Sequence, residues 1–275
     1  MFDIAVIGAG PAGYSAAINA RKRDKSVVVI GQNTGWLSRA ESVANYPGLP
    51  DISGANLLAA MRKQAEKMGA ILRPGVVHQA VAMGDSFALS LGADFVEAHK
   101  LILCTGAKQP RLFPGEADLL GRGVSYCGTC DGMLYRGKRV AVIAQGPEAV
   151  SEANFLAGLC EKVIYYGKSD PALDERIDVA EGKVEVIFGE GRAQGLRVSD
   201  EDVPFDGVFI FREAMALSSL LPGLEMDGAF IRVDRQMRTS LPGVFAAGDC
   251  TGLPLQVAKA VGEGCIAALC AAQEL

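Results

Sequence analysis

Cys127-Gly128-Thr129-Cys130-Asp131 is the stretch of this chain best equipped for chemistry. Two cysteines separated by two residues can close into a disulfide and reopen as a dithiol. The segment from Cys130 to Leu134 reads as a helical turn, whose N-terminal dipole is expected to lower a thiol pKa and raise thiolate content. Asp131 is placed to give and take a proton as the pair cycles; the two histidines, His78 and His99, lie far off in sequence. Those histidines also lack metal-ligand spacing, so no metal is expected at the pair. Cys104, Cys160, Cys265 and Cys270 fall in apolar strand or helix patterns and read as buried structural thiols.

The elements that must position this pair begin with a repeat. Ile4 to Ile7 reads as a buried strand, Gly8-Ala9-Gly10-Pro11-Ala12-Gly13 as a tight turn, Tyr14 to about Arg23 as an Ala-rich helix, and Val27 to Ile30 as a second strand. Glycines there permit close backbone approach, and the helix N-terminus offers free N–H groups, which together suit a dinucleotide pyrophosphate. Shifted by 136 residues, the unit recurs: Ala141-Val142-Ile143 matches Ala5-Val6-Ile7, Gly146-Pro147 matches Gly10-Pro11, and Val163 to Gly167 falls on Val27 to Gly31.

The second copy is altered where phosphate would sit. Gly8 becomes Ala144, Ala9 becomes Gln145 and Ala12 becomes Glu148. A carboxylate ~5 Å from a phosphate, at an effective dielectric of ~20, repels it by roughly 3 kcal/mol. That corresponds to weakening on the order of a hundredfold. The following strand ends in Tyr165-Tyr166-Gly167-Lys168-Ser169, with neither the arginine cluster that reads a 2′-phosphate nor an immediate acid for a ribose. The second copy is therefore expected to keep its fold without a nucleotide.

The first copy has further parts that make it an FAD site. Leu101 to Ala107 is an apolar strand ending in a turn at Thr105-Gly106, and Pro242 to Asp249 is another, with Gly248-Asp249 where the chain leaves the sheet. Asp249 is placed to hydrogen-bond the ribityl chain or phosphate-side ribose of a flavin. A helix from about Leu255 to Ala272 follows, and its first N–H groups, Val257 among them, are placed to face the flavin pyrimidine oxygens. The strand Val27–Ile30 ends in Gly31-Gln32-Asn33, without the usual acid for the adenosine ribose; Gln32 or Asn33 would serve by hydrogen bonding.

Length and composition bound the rest. With 275 residues, 49% hydrophobic and 21% charged, the chain is ordinary for a soluble protein of one large or two modest domains. A net charge of −5 argues against nucleic acid or an anionic membrane as partner. No apolar run approaches the ~18 residues of a spanning helix, and the N-terminus lacks a basic region, so a cytoplasmic location is expected.

In order along the chain, Gly8 to Gly13, Asn45-Tyr46-Pro47-Gly48, Thr105-Gly106-Ala107, Gly121 to Ser125, Cys127 to Gly132 and Pro242 to Asp249 resemble the low-molecular-weight thioredoxin reductase family. The resemblance implies an α/β fold of two Rossmann-like three-layer domains. An FAD-binding domain would span 1–109 and 214–275, and a disulfide-bearing domain 110–213. It further implies a homodimer, thioredoxin as partner, and flavin contacts at Asn45, Asp249 and Gln256. Trp36 and Leu37 would lie in a loop covering the flavin. It implies Cys130 nearest the flavin and Cys127 as the thiolate that attacks the partner, with crossings near Lys108 to Arg111 and Arg212 to Ala214 allowing rotation. The altered second copy, and Arg212-Glu213-Ala214-Met215 in place of the family's nucleotide-site stretch, are similar to the ferredoxin-dependent flavin branch. On that reading ferredoxin is the electron donor.

Overall fold

The computed structural model describes residues 1–32, 35–92, 94–107, 112–146, 148–212 and 220–275, and of Trp36 the backbone alone. The chain divides into two compact units, Met1–Gln109 with Leu220–Leu275, and Pro110–Ser219. The expected crossings at Lys108 to Arg111 and at Glu213-Ala214 lie outside the described residues.

The first unit opens with β1 (Phe2–Ile7), α1 (Pro11–Arg21), β2 (Val27–Ile30), α2 (Gly54–Lys67) and β3 (Ile71–Arg73). It continues with β4 (Gln79–Ala82), β5 (Phe87–Leu91) and β6 (Asp94–Leu103). The strands order as β3-β2-β1-β6-β5-β4, parallel from β3 to β6 and antiparallel beyond. Ile4 to Ile7 and Val27 to Ile30 are buried on both faces, which is why their apolar runs show no alternation.

The second unit carries α3 (Glu116–Leu119), β7 (Val124–Ser125), α4 (Gly128–Asp131), β8 (Arg139–Gln145), α5 (Ala149–Ala157) and β9 (Lys162–Tyr166). After β10 (Ile177–Ala180) come a small antiparallel sheet of β11 (Val184–Phe188), β12 (Gly195–Val198) and β13 (Glu201–Pro204), and then β14 (Gly207–Arg212). Its main sheet orders as β10-β9-β8-β14-β7, all parallel. With β8 set on β1, this repeats the order β3-β2-β1-β6, so the shift read in the sequence is a repeat of topology.

The chain returns to the first unit through β15 (Met226–Asp227), β16 (Phe230–Ile231), β17 (Val244–Ala246) and the closing helix α6 (Val257–Gln273). β17 adds in parallel to the C-terminal half of β6, from Val244↔Leu101 to Ala246↔Leu103. α6 lies against α1: a Cβ at Gly264 would come 2.2 Å from the Ala12 carbonyl oxygen, so only glycine admits that approach. Helices and sheet share one core, with Ala16, Ala17, Ala20, Ala267, Ala268 and Ala271 all buried. No described helix is long and apolar enough to cross a membrane.

Candidate functional site

Cys127 and Cys130 form a disulfide with their Cα atoms 5.3 Å apart. The helical turn beside them starts earlier than expected. It runs over Gly128–Asp131, with a 3₁₀ turn over Gly132–Tyr135, and Cys127 is its N-cap. The Cys130 amide donates to Cys127 Sγ at 3.1 Å, and Thr129 Oγ1 lies 3.3 Å from the same sulfur. The donors that would hold a thiolate therefore converge on Cys127, not Cys130. Cys127 is buried and Cys130 exposed. Asp131 Oδ2 accepts from Ser125 Oγ at 2.7 Å, and Ser125 Oγ also accepts from the Cys127 amide at 3.1 Å. Sequence reading missed Ser125 as the group that orients Asp131.

The remaining thiols separate by burial. Cys104 and Cys250 are buried, but Cys160, Cys265 and Cys270 are only half-buried; Cys160 lies in the bend between α5 and β9 instead of on a strand or helix. Burial pushes Cys250 and Cys160 up to about 11, and pushes Cys104 well above the ordinary thiol value. At neutral pH a thiol at about 11, as at Cys250 and Cys160, is thiolate in about one molecule in ten thousand. Iodoacetamide added to native, reduced protein at neutral pH should label Cys127 and Cys130 first. Peptide mapping should find Cys104 and Cys250 modified only after denaturant, and their labelling at the rate of the pair would contradict this.

In the first unit the expected cofactor residues meet at the carboxyl ends of four strands: Gly8 after β1, Gly31-Gln32 after β2, Thr105-Gly106 after β6 and Gly248-Asp249 after β17. This is the edge of a parallel sheet where ligands bind. Gly8 has φ +123°, and a Cβ on it would lie 2.0 Å from the Cys104 carbonyl oxygen. Gly10 is the N-cap of α1, no side chain caps that helix, and a Cβ at Gly10 would meet nothing within 4 Å. Pro11, Ala12 and Gly13 form the first turn of α1. The cradle thus combines a turn only glycine can make with uncapped N–H groups facing open space, which fits a pyrophosphate.

Leu37 lies in a 3₁₀ turn over Trp36–Arg39; the Trp36 side chain and Asn33 are outside the described set. Asn45 Nδ2 donates to Gln256 Oε1 at 2.7 Å, joining two expected flavin contacts that are far apart in sequence. Gln256 is the N-cap of α6 and Val257 its first residue, two positions later than the expected helix start. Burial raises the Asp249 carboxyl above its usual range, Lys259 pulls it down, and Glu263 adds to the rise. Glu263 Oε2 accepts from the Gly248 amide at 2.8 Å and from Thr251 Oγ1 at 2.8 Å, while Lys259 Nζ donates to the Gly248 and Gly252 carbonyls, each at 2.9 Å. This Lys–Glu pair, unread in the sequence, holds the loop that carries Asp249.

The second copy departs from the first in backbone path. Where β1 stops at Ile7, β8 continues through Ala144 and Gln145 and stays paired with β14, Ala144↔Phe211 and Gln145↔Arg212. α5 begins only at Ala149, with Glu148 at its N-cap; Pro147 lies outside the described residues. Gln145 Oε1 accepts from Arg212 Nε at 2.9 Å. The Arg212 guanidinium is in turn paired with Glu116 through two bonds, Nη2 to Oε2 at 2.6 Å and Nη1 to Oε1. Glu116 also accepts from Tyr126 Oη at 2.7 Å and the Phe113 amide at 2.8 Å, all with no exposed surface of its own.

A glycine cradle on the parallel part of one sheet, a second altered copy of it and a CxxC disulfide are a combination that known proteins share. The pyridine nucleotide-disulphide oxidoreductase family model matches residues 2–185 and 175–264. The chain belongs to this family. A thioredoxin reductase of Listeria monocytogenes is 33% identical, over 97% of this chain and 92% of its own. A crystal structure of a ferredoxin-flavin thioredoxin reductase from Clostridium acetobutylicum superposes with TM-score 0.89 at 39% identity, covering 99% of this chain and 97% of that one. An atypical thioredoxin reductase from Desulfovibrio vulgaris Hildenborough gives TM-score 0.73 at 35% identity, over 100% and 99% of the two chains. The fold is accordingly that of a two-domain flavoprotein, the activity that of a thioredoxin reductase, and the cofactor FAD.

Proposed function

We propose that this protein passes electrons from reduced ferredoxin, through FAD held by the first unit, to the Cys127–Cys130 disulfide and on to thioredoxin, without a pyridine nucleotide. The observation that carries this reading is β8 running straight on as paired strand where a nucleotide-binding copy must turn. A strand paired through Ala144 and Gln145 offers no ring of free N–H groups to a pyrophosphate. The bonded pair Gln145–Arg212 stands at the same strand end. The Clostridium acetobutylicum protein named for ferredoxin and flavin supports the same donor.

FAD, when bound, supplies the redox centre that accepts electrons singly and yields them as a pair. Gly8 to Gly13 would hold its pyrophosphate, and Asn45, Thr105, Gly106, Asp249, Gln256 and the Val257 amide its remaining polar groups. At the disulfide, two electrons and two protons give two thiols, with Asp131, oriented by Ser125, moving the proton. The Cys127 thiolate, held by the Cys130 amide and Thr129, attacks the thioredoxin disulfide and releases one thioredoxin thiol. Cys130 then attacks the mixed disulfide, which restores Cys127–Cys130 and frees the second thiol. Cys127 is buried, so its attack requires that its surroundings open. Rotation about crossings at 108–111 and 212–214 is the movement proposed for taking the pair from flavin to partner. The resemblance carries with it a homodimer, and the sequence pattern a cytoplasmic location.

Catalytic amounts of anaerobic holoenzyme given photoreduced ferredoxin in excess, at least two one-electron equivalents per thioredoxin disulfide, should generate thioredoxin thiols over many turnovers. Failure with ferredoxin, together with turnover on NADPH, would overturn the donor assignment.

A further inference from the structure

The first two amides of the Cys127 turn are occupied by a carboxylate from another element. Glu152 Oε2 accepts from the Gly128 amide at 2.7 Å and from the Thr129 amide at 3.2 Å. Glu152 lies in the first turn of α5, the helix that follows the altered second glycine turn. Its counterpart in the first copy, 136 residues earlier, is Ala16, which is fully buried in the core of that unit. An acid at this position therefore answers no need of the nucleotide-binding framework. A Cβ on Gly128 would lie 2.5 Å from Glu152 Oε2, so glycine at that position keeps the approach open.

We propose that Glu152 is a positioning residue that sets the reduction potential of the Cys127–Cys130 couple, making the dithiol a stronger reductant. The disulfide is neutral, whereas the dithiol carries charge as a thiolate on Cys127, the sulfur that accepts from the Cys130 amide and lies beside Thr129 Oγ1. Glu152 uses the two other amides at the start of the turn and places a fixed negative charge beside Cys127. Both effects penalise the thiolate and leave the disulfide unaffected, so the equilibrium between disulfide plus two electrons and two protons, and dithiol, moves toward disulfide. A helical turn by itself stabilises the thiolate and makes its couple oxidising; here the carboxylate opposes that tendency. Asp131, the other acid of the turn, is bonded to Ser125 and is common to every variant considered. The inference rests on the pair being redox-active, but on neither the ferredoxin nor the thioredoxin assignment.

The test equilibrates FAD-loaded protein anaerobically with mixtures of reduced and oxidised dithiothreitol, then traps with a maleimide and counts Cys127 and Cys130 thiols by peptide mass. Dithiothreitol supplies the electron pair and becomes the cyclic disulfide, so no biological donor is needed. Glu152→Gln keeps an acceptor oxygen for the two amides and removes the charge. We expect its equilibrium constant for reduction to rise about tenfold, equivalent to about 30 mV. The iodoacetamide rate of reduced Cys127 at mildly acidic pH should rise about three- to fourfold, since part of the gain in thiolate is offset by its lower nucleophilicity. Glu152→Ala, which also frees the amides, should shift both readouts at least as far. If Glu152→Gln leaves the constant and the alkylation rate within twofold of the parent, the proposal is wrong, whatever Glu152→Ala does to stability.

Discussion

Cys130→Ser should lose thioredoxin turnover by roughly 10⁴-fold or more while remaining yellow, folded and photoreducible. The loss is that large because the two sulfurs act as a unit: without Cys130 there is no disulfide for the flavin to reduce and no thiol to resolve a mixed disulfide. The same variant should accumulate a covalent adduct with thioredoxin once its Cys127 thiol meets an oxidised partner. Peptide mass analysis should locate the bond at Cys127, the sulfur that accepts from the Cys130 amide. Cys127→Ser should lose turnover equally and, by the same logic, form no stable adduct. An adduct through Cys130 in Cys127→Ser, and none through Cys127 in Cys130→Ser, would reverse the roles given to the two cysteines. The exposure of Cys130 and burial of Cys127 make that reversal a fair challenge, so the trap decides between accessibility and thiolate stabilisation.

Glu116→Ala should be the most destabilising single substitution in the second unit. Glu116 is fully buried and accepts the Nη1 and Nη2 bonds of Arg212, the Tyr126 hydroxyl and the Phe113 amide. Its removal leaves a buried guanidinium whose remaining partners among the described residues are Gln145 and the faces of Phe113 and Tyr126, 5.5 and 5.9 Å away. Removing one member of such a pair costs about 3–5 kcal/mol, because the charge left behind loses its compensation. Hydrogen exchange reads this locally, which matters in a chain of two units whose unfolding need not be two-state. The slowest amides of β8 and β14 should exchange at least about a hundredfold faster, while those of β1 and β6 in the first unit hold. Replacing both partners by apolar residues, Glu116→Leu with Arg212→Met, should restore most of the protection. A cost below about 1 kcal/mol for the single substitution would show that water or rearrangement satisfies Arg212.

The repeat, the first glycine turn and the disulfide were legible because each is local. Gly8 to Gly13 follows one strand directly, and the cysteines are neighbours on a single turn. The altered second turn was legible for a related reason: the intact first copy shows what Ala144 and Gln145 replace. What the replacement does to the backbone was not legible, since the extension of β8 depends on β14 being present to pair with it. The groups that tune the sites came from elsewhere in the chain. Glu116 and Arg212 are 96 residues apart, and Glu152 reaches Gly128 across 24. Such pairs are fixed by packing of whole elements, for which hydrophobic periodicity carries no register. The turn expected from Cys130 starts two residues earlier, at Gly128, so the Cys130 amide meets Cys127 while the Gly128 and Thr129 amides are held by Glu152. Lys259 and Glu263, at i and i+4 on α6, look like a surface helix pair in sequence; only the fold turns them toward the Gly248 loop.

The most direct measurement mixes oxidised, FAD-loaded protein with micromolar NADPH under strict anaerobiosis and follows the flavin absorbance. A backbone that continues as strand through Ala144 and Gln145 predicts no bleaching over minutes, with full bleaching when reduced ferredoxin is added to the same cuvette. Bleaching by NADPH within seconds would contradict the account at its centre.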